Sequence, residues 1–450
     1  MYDLLNDAAA RSLRYLAEIQ TRGVAPTPEA IARLHEIGGP WPDGPSDAAP
    51  ILRLLDEVGS PATLAAAGPR FFGWVTGGAL PATLASSWLA NAWDQNAMLA
   101  SSSPIAAEVE TVALRWVVAA LALPQTTGGG FVTGATLANL TCLAAARHAV
   151  LDAEGWDVDA RGLSGAPRVT VVVGAEVHPS LRKALGLLGL GRENVIEVPV
   201  DAQGRMRADA LPRIARPAIV AIQAGNVNSG AFDPAREIIA WARAAGAWVH
   251  VDGAFGLWAA AAPERAHLAA EFADADSWAT DAHKWLNVPY DSGLALVREP
   301  EHLRAAMSIT AAYLPVGEQR DPANYTPEFS RRARGIEVWA AMLSLGRSGL
   351  GDLIERCCRH ARRFADGLSE AGYEILNDVV LNQVLVSFGS PEKTQRVIAA
   401  IQVDGTCWCG GTVWQGRAAM RISVSSWATT DNDVERSLAA MRRIAAVTPD

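Results

Sequence analysis

The apolar positions of this chain change their spacing twice. Over roughly the first 68 residues they recur at helical intervals, as Leu5, Leu13, Leu16 and Ile19 do. Thr27-Pro28-Glu29 has the form of a helix start, with Thr as N-cap and Pro in the first turn. The stretch from Gly38 to Ala49, dense in Gly, Pro and Asp, reads as a connector. A further helix is expected from about Pro104, with Glu108, Glu110 and Arg115 on its wetter side. From about residue 130, short and nearly unbroken apolar runs alternate with helical stretches. The expected strands are Arg168 to Val173, Val195 to Val200, Ala218 to Ala224, Ala247 to Asp252, Ser277 to Thr280 and Gly293 to Arg298. Helices are expected between them, including Leu137 to Ala146, Leu181 to Leu188 and Pro234 to Ala245. Runs this continuous suit strands covered on both faces, so the pattern predicts a mostly parallel α/β sheet.

After Arg334 the pattern shifts again. It predicts helices from Ile336 to Arg347 and Leu353 to Leu368, strands at Gln383 to Phe388 and Ala419 to Val424, and a last helix from Asp431 to Val447. The expected organisation is an N-terminal helical segment (1–68), a large α/β domain (69–334) and a small C-terminal α+β domain (335–450).

Composition narrows this picture. At 450 residues the chain exceeds what one hydrophobic core usually holds. Lys and Arg total 39 against 48 Asp and Glu, a net charge of −9, which offers no attraction to nucleic acid or an anionic membrane. The basic clusters Arg331-Arg332-Ala333-Arg334 and Arg359 to Arg363 read as solvated helix faces. Five cysteines are too few for a disulfide framework in this length, and Cys407-Trp408-Cys409 lacks the spacing and second pair of a zinc site. No apolar run approaches the roughly 18 residues of a membrane span, and no secretory signal is visible, so a cytoplasmic protein is expected.

The chemistry concentrates at Asp281-Ala282-His283-Lys284-Trp285, where Lys284 falls 32 residues after Asp252 at the end of Val249-His250-Val251-Asp252. A lysine among apolar neighbours is a nucleophilic amine, because burial favours its neutral form. Paired with an Asp at a strand end, it suits an enzyme of pyridoxal phosphate. The lysine would hold the aldehyde as a Schiff base, and the Asp would keep the pyridine nitrogen protonated. Thr133-Gly134-Ala135-Thr136, opening a helix, has the form of a phosphate cup, although an ordinary capped turn looks the same. His178, just beyond a strand, could lie over a cofactor ring or could simply cap a helix.

These marks, with Arg70-Phe71-Phe72-Gly73, Ser103-Pro104 and Arg331 to Trp339, resemble the group II pyridoxal-phosphate-dependent amino acid decarboxylases over nearly the whole chain. The resemblance implies the aspartate-aminotransferase fold (fold type I) and a homodimer with shared active sites, across which Asp94-Gln95-Asn96 could reach. It implies that Lys284 carries the cofactor, His283 lies near its phosphate, His178 stacks on its ring, Asp252 pairs with its ring nitrogen and Ala254 packs beneath it. Gly134, Ala135 and Thr136 would hold the phosphate and Asn226 the phenolic oxygen. Tyr313, 29 residues after Lys284 in a stretch without periodicity, would be the proton donor on a lid, with Tyr325 as its rival. Two positions depart from the family pattern: Asn226 stands where Thr is usual, and the phosphate turn is not the commoner Gly-Gly-Ser type.

The expected reaction is decarboxylation of an L-amino acid, with Phe71, Phe72, Trp74 and Trp93 leaning toward an aromatic or bulky substrate and Trp74 placed at the substrate. Arg421, on a C-terminal strand, is the alternative: an Arg that clamps the α-carboxylate would favour transamination or carbon–carbon lyase chemistry. A structural ion pair suits Arg421 equally. The remote third reading is a non-catalytic cofactor-binding regulator.

Overall fold

The computed structural model describes residues 1–309 and 320–449. The chain divides into two compact units: Gly77–Ala361 with Asn377–Gln383, and Met1–Thr76 with Arg362–Leu376 and Val384–Asp450.

The first unit is built on a seven-stranded sheet. Its strands are β1 (Gly128–Val132), β2 (Thr170–Gly174), β3 (Val195–Val198), β4 (Ala218–Gln223), β5 (Trp248–Asp252), β6 (Ser277–Asp281) and β7 (Gly293–Val297), in the order β1-β7-β6-β5-β4-β2-β3. Neighbouring pairs from β3 to β6 run parallel; β7 runs antiparallel to both β1 and β6. Every residue of β5, β6 and β7 is buried, as the unbroken apolar runs require. The helix Ala135–Asp152 crosses behind the sheet and shares one core with Val171, Val173, Ile219 and Leu185. The strand pattern missed β1, whose first three residues are glycines. Gly129 has no room for a side chain, since a Cβ there would fall 2.3 Å from the Ala295 carbonyl oxygen.

Two expectations about charge are overturned in this unit. Glu110 lies on the helix Pro104–Ala120 but not on its wet side: it is 1% exposed and pairs with Arg331 at 2.8 Å and Arg320 at 3.1 Å. The Arg331 to Arg334 cluster is not a solvated face either. Arg331 also donates to the carbonyls of Ala97 and Phe131, Arg332 pairs with Glu337, and Arg334 reaches Asp291 at 2.8 Å. Charges buried together satisfy each other, and sequence polarity alone does not reveal it. The helix that follows runs from Gly335 to Glu370 and is broken at Gly346, where φ is 60°. That break separates the two helices the pattern anticipated.

The second unit holds a four-stranded sheet of β8 (Glu374–Ile375), β9 (Gln383–Ser387), β10 (Gly410–Trp414) and β11 (Arg417–Ser423), ordered β10-β11-β9-β8. Helices Pro391–Asp404 and Asp431–Val447 accompany it, the latter started by a capping box between Thr430 and Asp433. Phe71 and Phe72 are core side chains here, Phe71 stacked on Trp408 at 5.0 Å. The N-terminal helix Tyr2–Glu18 has no buried residue, and Thr27 caps the next helix by accepting from the Ala30 amide at 3.2 Å. All five cysteines of the chain are free and buried. Among the described residues no helix is long and apolar enough to cross a membrane, and no cluster of side chains is composed to hold a metal ion.

Candidate active site

The carboxyl ends of β1, β4, β5 and β6 open onto one cavity of about 340 Å³, where sheets of this kind collect ligands. Register sets the arrangement: Gln223 pairs with Asp252, and Asp252 with Ala279 one strand over. The cavity wall includes Gly134, Ala135 and Thr136 from one side, His178 from another, and Asp252, Ala254, His283 and Lys284 from the strand ends. Eight of the residues singled out from the sequence therefore share one cavity.

The helix Ala135–Asp152 points its N-terminus into this space. Gly134 is needed there, because a Cβ would come within 3.0 Å of the His283 ring and fill the gap before the first helical turn. On the far side, a Cβ on Gly293 would strike Gly134 at 2.5 Å. The Asp281 carboxylate bridges the cup to the lysine: Oδ1 accepts from the Ala135 amide at 2.6 Å, and Oδ2 meets Lys284 Nζ at 2.9 Å. Trp258 Nε1 donates to the Asp281 carbonyl at 3.0 Å and pins this segment from below. In the sequence, only its i,i+3 spacing to Lys284 signals this bridging role for Asp281. The backbone of Lys284 is held just as closely, since a Cβ on Gly77 would lie 1.7 Å from its carbonyl oxygen.

His283 stacks on Tyr290 with ring centres 4.3 Å apart, and its Nδ1 accepts from the Ser292 amide at 3.2 Å. Burial holds its pKa below the usual histidine value, against the opposing pull of Asp281. His178 sits at the N-cap of helix Pro179–Leu187, where its Nδ1 meets Ser180 Oγ at 2.7 Å and accepts from the Ser180 amide at 3.2 Å. It both caps the helix and faces the cavity. Asp252 accepts from the Ala254 amide at 3.3 Å and from Asn139 Nδ2 at 3.2 Å.

Asn226 is placed differently from what the resemblance implies. Its Oδ1 accepts from the amides of Asn228 and Ser229 at 2.8 and 3.2 Å, so the side chain folds into its own turn. Its Nδ2 donates to Gln223, and Gln223 rather than Asn226 lines the cavity. Gly225, with φ at 93°, turns the chain there, and a Cβ on it would fall 2.8 Å from Gly256. Tyr313 lies outside the described residues. Tyr325 ends a short helix beneath Arg320, whose guanidinium lies 4.4 Å from the ring centre.

Trp74 and Arg421 belong to the other compact unit. Trp74 is 57% exposed, leans on Trp408 at 4.6 Å and has φ of 49°; Val75 beside it has φ of 62°. A tryptophan and a β-branched residue in the left-handed region store strain, on the order of 1–3 kcal/mol each. Arg421 is half-buried on β11, and loss of water around it lowers its pKa.

A partly buried amine, an acid at a strand end, an imidazole and a helix N-terminus thus face one cavity, the arrangement expected of a fold type I pyridoxal-phosphate enzyme. Residues 47–389 match the model of the pyridoxal-dependent decarboxylase conserved domain, and the chain belongs to that family. It is 28% identical over 402 residues to tryptophan decarboxylase 1 of Oryza sativa subsp. japonica, covering 80% of this chain and 77% of that one. Identity to the L-2,4-diaminobutyrate decarboxylase of Rhizobium meliloti is 30% over 386 residues, covering 81% and 75%. In fold it is similar to the crystal structure of Oryza sativa TDC with PLP and tryptamine, with a TM-score of 0.91 at 23% identity over 99% of this chain and 97% of that one.

Proposed function

We propose that, within this family of pyridoxal-phosphate-dependent carboxy-lyases, the chain converts an L-amino acid with an aromatic or bulky apolar side chain to its amine and carbon dioxide, as a cytoplasmic homodimer. The observation that carries the reading is the convergence of Lys284, Asp252 and His178 on the cavity capped by Gly134 to Thr136. Bound there, pyridoxal phosphate supplies the electron sink that accepts the pair released when the bond to the carboxylate breaks.

The chain's own residues divide the remaining work. The first turn of helix Ala135–Asp152 offers amide hydrogens and the positive end of its dipole to a phosphate. Asp252 offers carboxylate oxygen to a ring nitrogen, and Ala254 and His178 provide two walls for a flat ring. Asp281 orients the Lys284 amine toward the cavity until it is used. Gln223 replaces Asn226 as the amide facing the cavity. The likeness to a tryptophan decarboxylase supports an aromatic substrate, and likeness at 28% identity to an acidic amino acid decarboxylase of Mus musculus supports an acidic one as the second reading.

Incubating the holoenzyme with each of the twenty amino acids and measuring carbon dioxide, amine, aldehyde and keto acid tests the reading. Amine and carbon dioxide from an aromatic substrate are expected. Keto acid without carbon dioxide would overturn decarboxylation and return the weight to Arg421. Lys284→Ala should abolish the visible absorbance of the covalently held cofactor while the far-ultraviolet circular dichroism stays unchanged.

A further inference from the structure

Asn139, in the second turn of the helix Ala135–Asp152, is fully buried and is the residue to which the site's polar groups lead. Its Oδ1 lies 2.8 Å from His250 Nε2, and its Nδ2 lies 3.2 Å from Asp252 Oδ2 and 3.4 Å from Ser180 Oγ. A carboxylate can only accept, so the amide nitrogen faces Asp252 and the amide oxygen faces His250. An oxygen opposite Nε2 requires the imidazole proton to be on Nε2. Burial pushes the pKa of His250 down to about 3, so the ring is neutral and Nδ1 is a bare acceptor. Ser277 Oγ, 2.9 Å from Nδ1, therefore donates to it and takes the Trp248 Nε1 hydrogen at 2.9 Å.

The second hydrogen of the Asn139 amide points to Ser180 Oγ, which lies 2.7 Å from His178 Nδ1. The Ser180 backbone N–H also converges on that nitrogen at 3.2 Å. His178 Nδ1 is thus an acceptor, and the proton of the neutral ring is on Nε2. The directions along the His250 branch depend on how the Asn139 amide is turned, whereas the Ser180 N–H makes His178 Nδ1 an acceptor by itself.

We propose that Asn139 is the positioning residue of this site: it fixes the proton of His250 on Nε2 and directs a one-way chain of hydrogen bonds from Trp248 through Ser277, His250 and its own amide to Asp252. The chain delivers hydrogen to the acid and withdraws none. Asp252 then has only acceptor capacity left for the cavity, and a ring nitrogen docking there must bring its own proton. This last consequence rests on the proposed pairing of Asp252 with the cofactor; the proton positions do not. The reverse polarity is a definite alternative, with the proton on Asp252 itself, the Asn139 amide turned over and the His250 proton on Nδ1.

Neutron diffraction from the deuterated holoenzyme at neutral pH distinguishes the two. Deuterium on Nε2 of His250, with the Asn139 ND2 group facing Asp252, is the expected result; deuterium on Nδ1 of His250, or on Asp252, overturns the proposal. In solution, nitrogen-15 shifts of labelled histidine should show the His250 tautomer retained in Ser277→Ala and mixed in Asn139→Leu. Tautomers unchanged in a folded Asn139→Leu protein would also overturn it, and if that variant does not fold, the neutron structure of the unsubstituted protein decides alone. Asn139→Leu should weaken cofactor binding by about tenfold or more in an absorbance titration, as expected for a charge-assisted hydrogen bond lost. Mixed tautomers with unchanged cofactor affinity would uphold the proton network and overturn the pairing of Asp252 with the cofactor.

Discussion

His250 shows how a residue with no direct role in chemistry can govern the acid tolerance of the site. Its pKa falls from 6.5 to about 3 because burial penalises the charged ring. The unfolded chain therefore binds more protons than the folded one between those values, and stability rises with pH across that window. The contribution is complete above pH 6.5 and is lost as pH falls toward 3, to a limit of about 5 kcal/mol. Asp233 runs the other way. Burial raises its carboxyl to about 6 despite two backbone amides at 2.7 Å, so its contribution is lost as pH rises through 6. Comparing the unsubstituted protein with His250→Gln by urea denaturation from pH 4 to 7 removes the Asp233 effect. The stability of the unsubstituted protein minus that of the variant should rise with pH up to about 6.5, and a difference that does not change with pH would count against a neutral buried ring. At this scale the sequence showed the residues whose chemistry is intrinsic: an amine, an acid, an imidazole and a glycine turn. It did not show Asn139 or Gln223, whose roles depend on which helix face and which strand end are brought together. The sequence also does not reveal that the Asn226 side chain bonds to the amides of its own turn.

Elements were legible where burial is uniform. β5 to β7 announce themselves because both faces are covered, whereas β1 hides behind glycines that carry no periodic signal. Charged residues within elements were the weaker reading, since the partner that buries them is remote in sequence. Glu110 and Arg331 stand 221 residues apart and join the helix Pro104–Ala120 to the segment entering Gly335–Glu370. Gly335 allows that closeness, as a Cβ there would sit 3.0 Å from the Glu110 Cα. Glu110→Leu leaves the Arg331 guanidinium buried without its anion and should cost about 3–5 kcal/mol in chemical denaturation. Adding Arg331→Leu should recover part of that loss, because the orphaned charge then disappears.

On the whole-molecule scale, the N-terminal region leaves several large apolar side chains exposed. Tyr2, Leu5, Leu13, Trp41, Ile51 and Leu55 are all more than half exposed. A homodimer would cover such a surface, and sedimentation should return twice the chain mass of 47.6 kDa. Leu5→Glu combined with Leu13→Glu should shift the population toward the single-chain mass.

The five buried cysteines give the molecule a chemical clock. Burial raises the Cys142 thiol to about 12 and Cys357 to about 11, so neither offers thiolate to a reagent while the chain is closed. Cys142, Cys357 and Cys358 belong to one compact unit, Cys407 and Cys409 to the other. Pulsed alkylation read peptide by peptide should therefore time the opening of each unit separately, with labelling slow in buffer and accelerated by denaturant. Immediate reaction of any of the five in the native protein would show that its unit opens without unfolding.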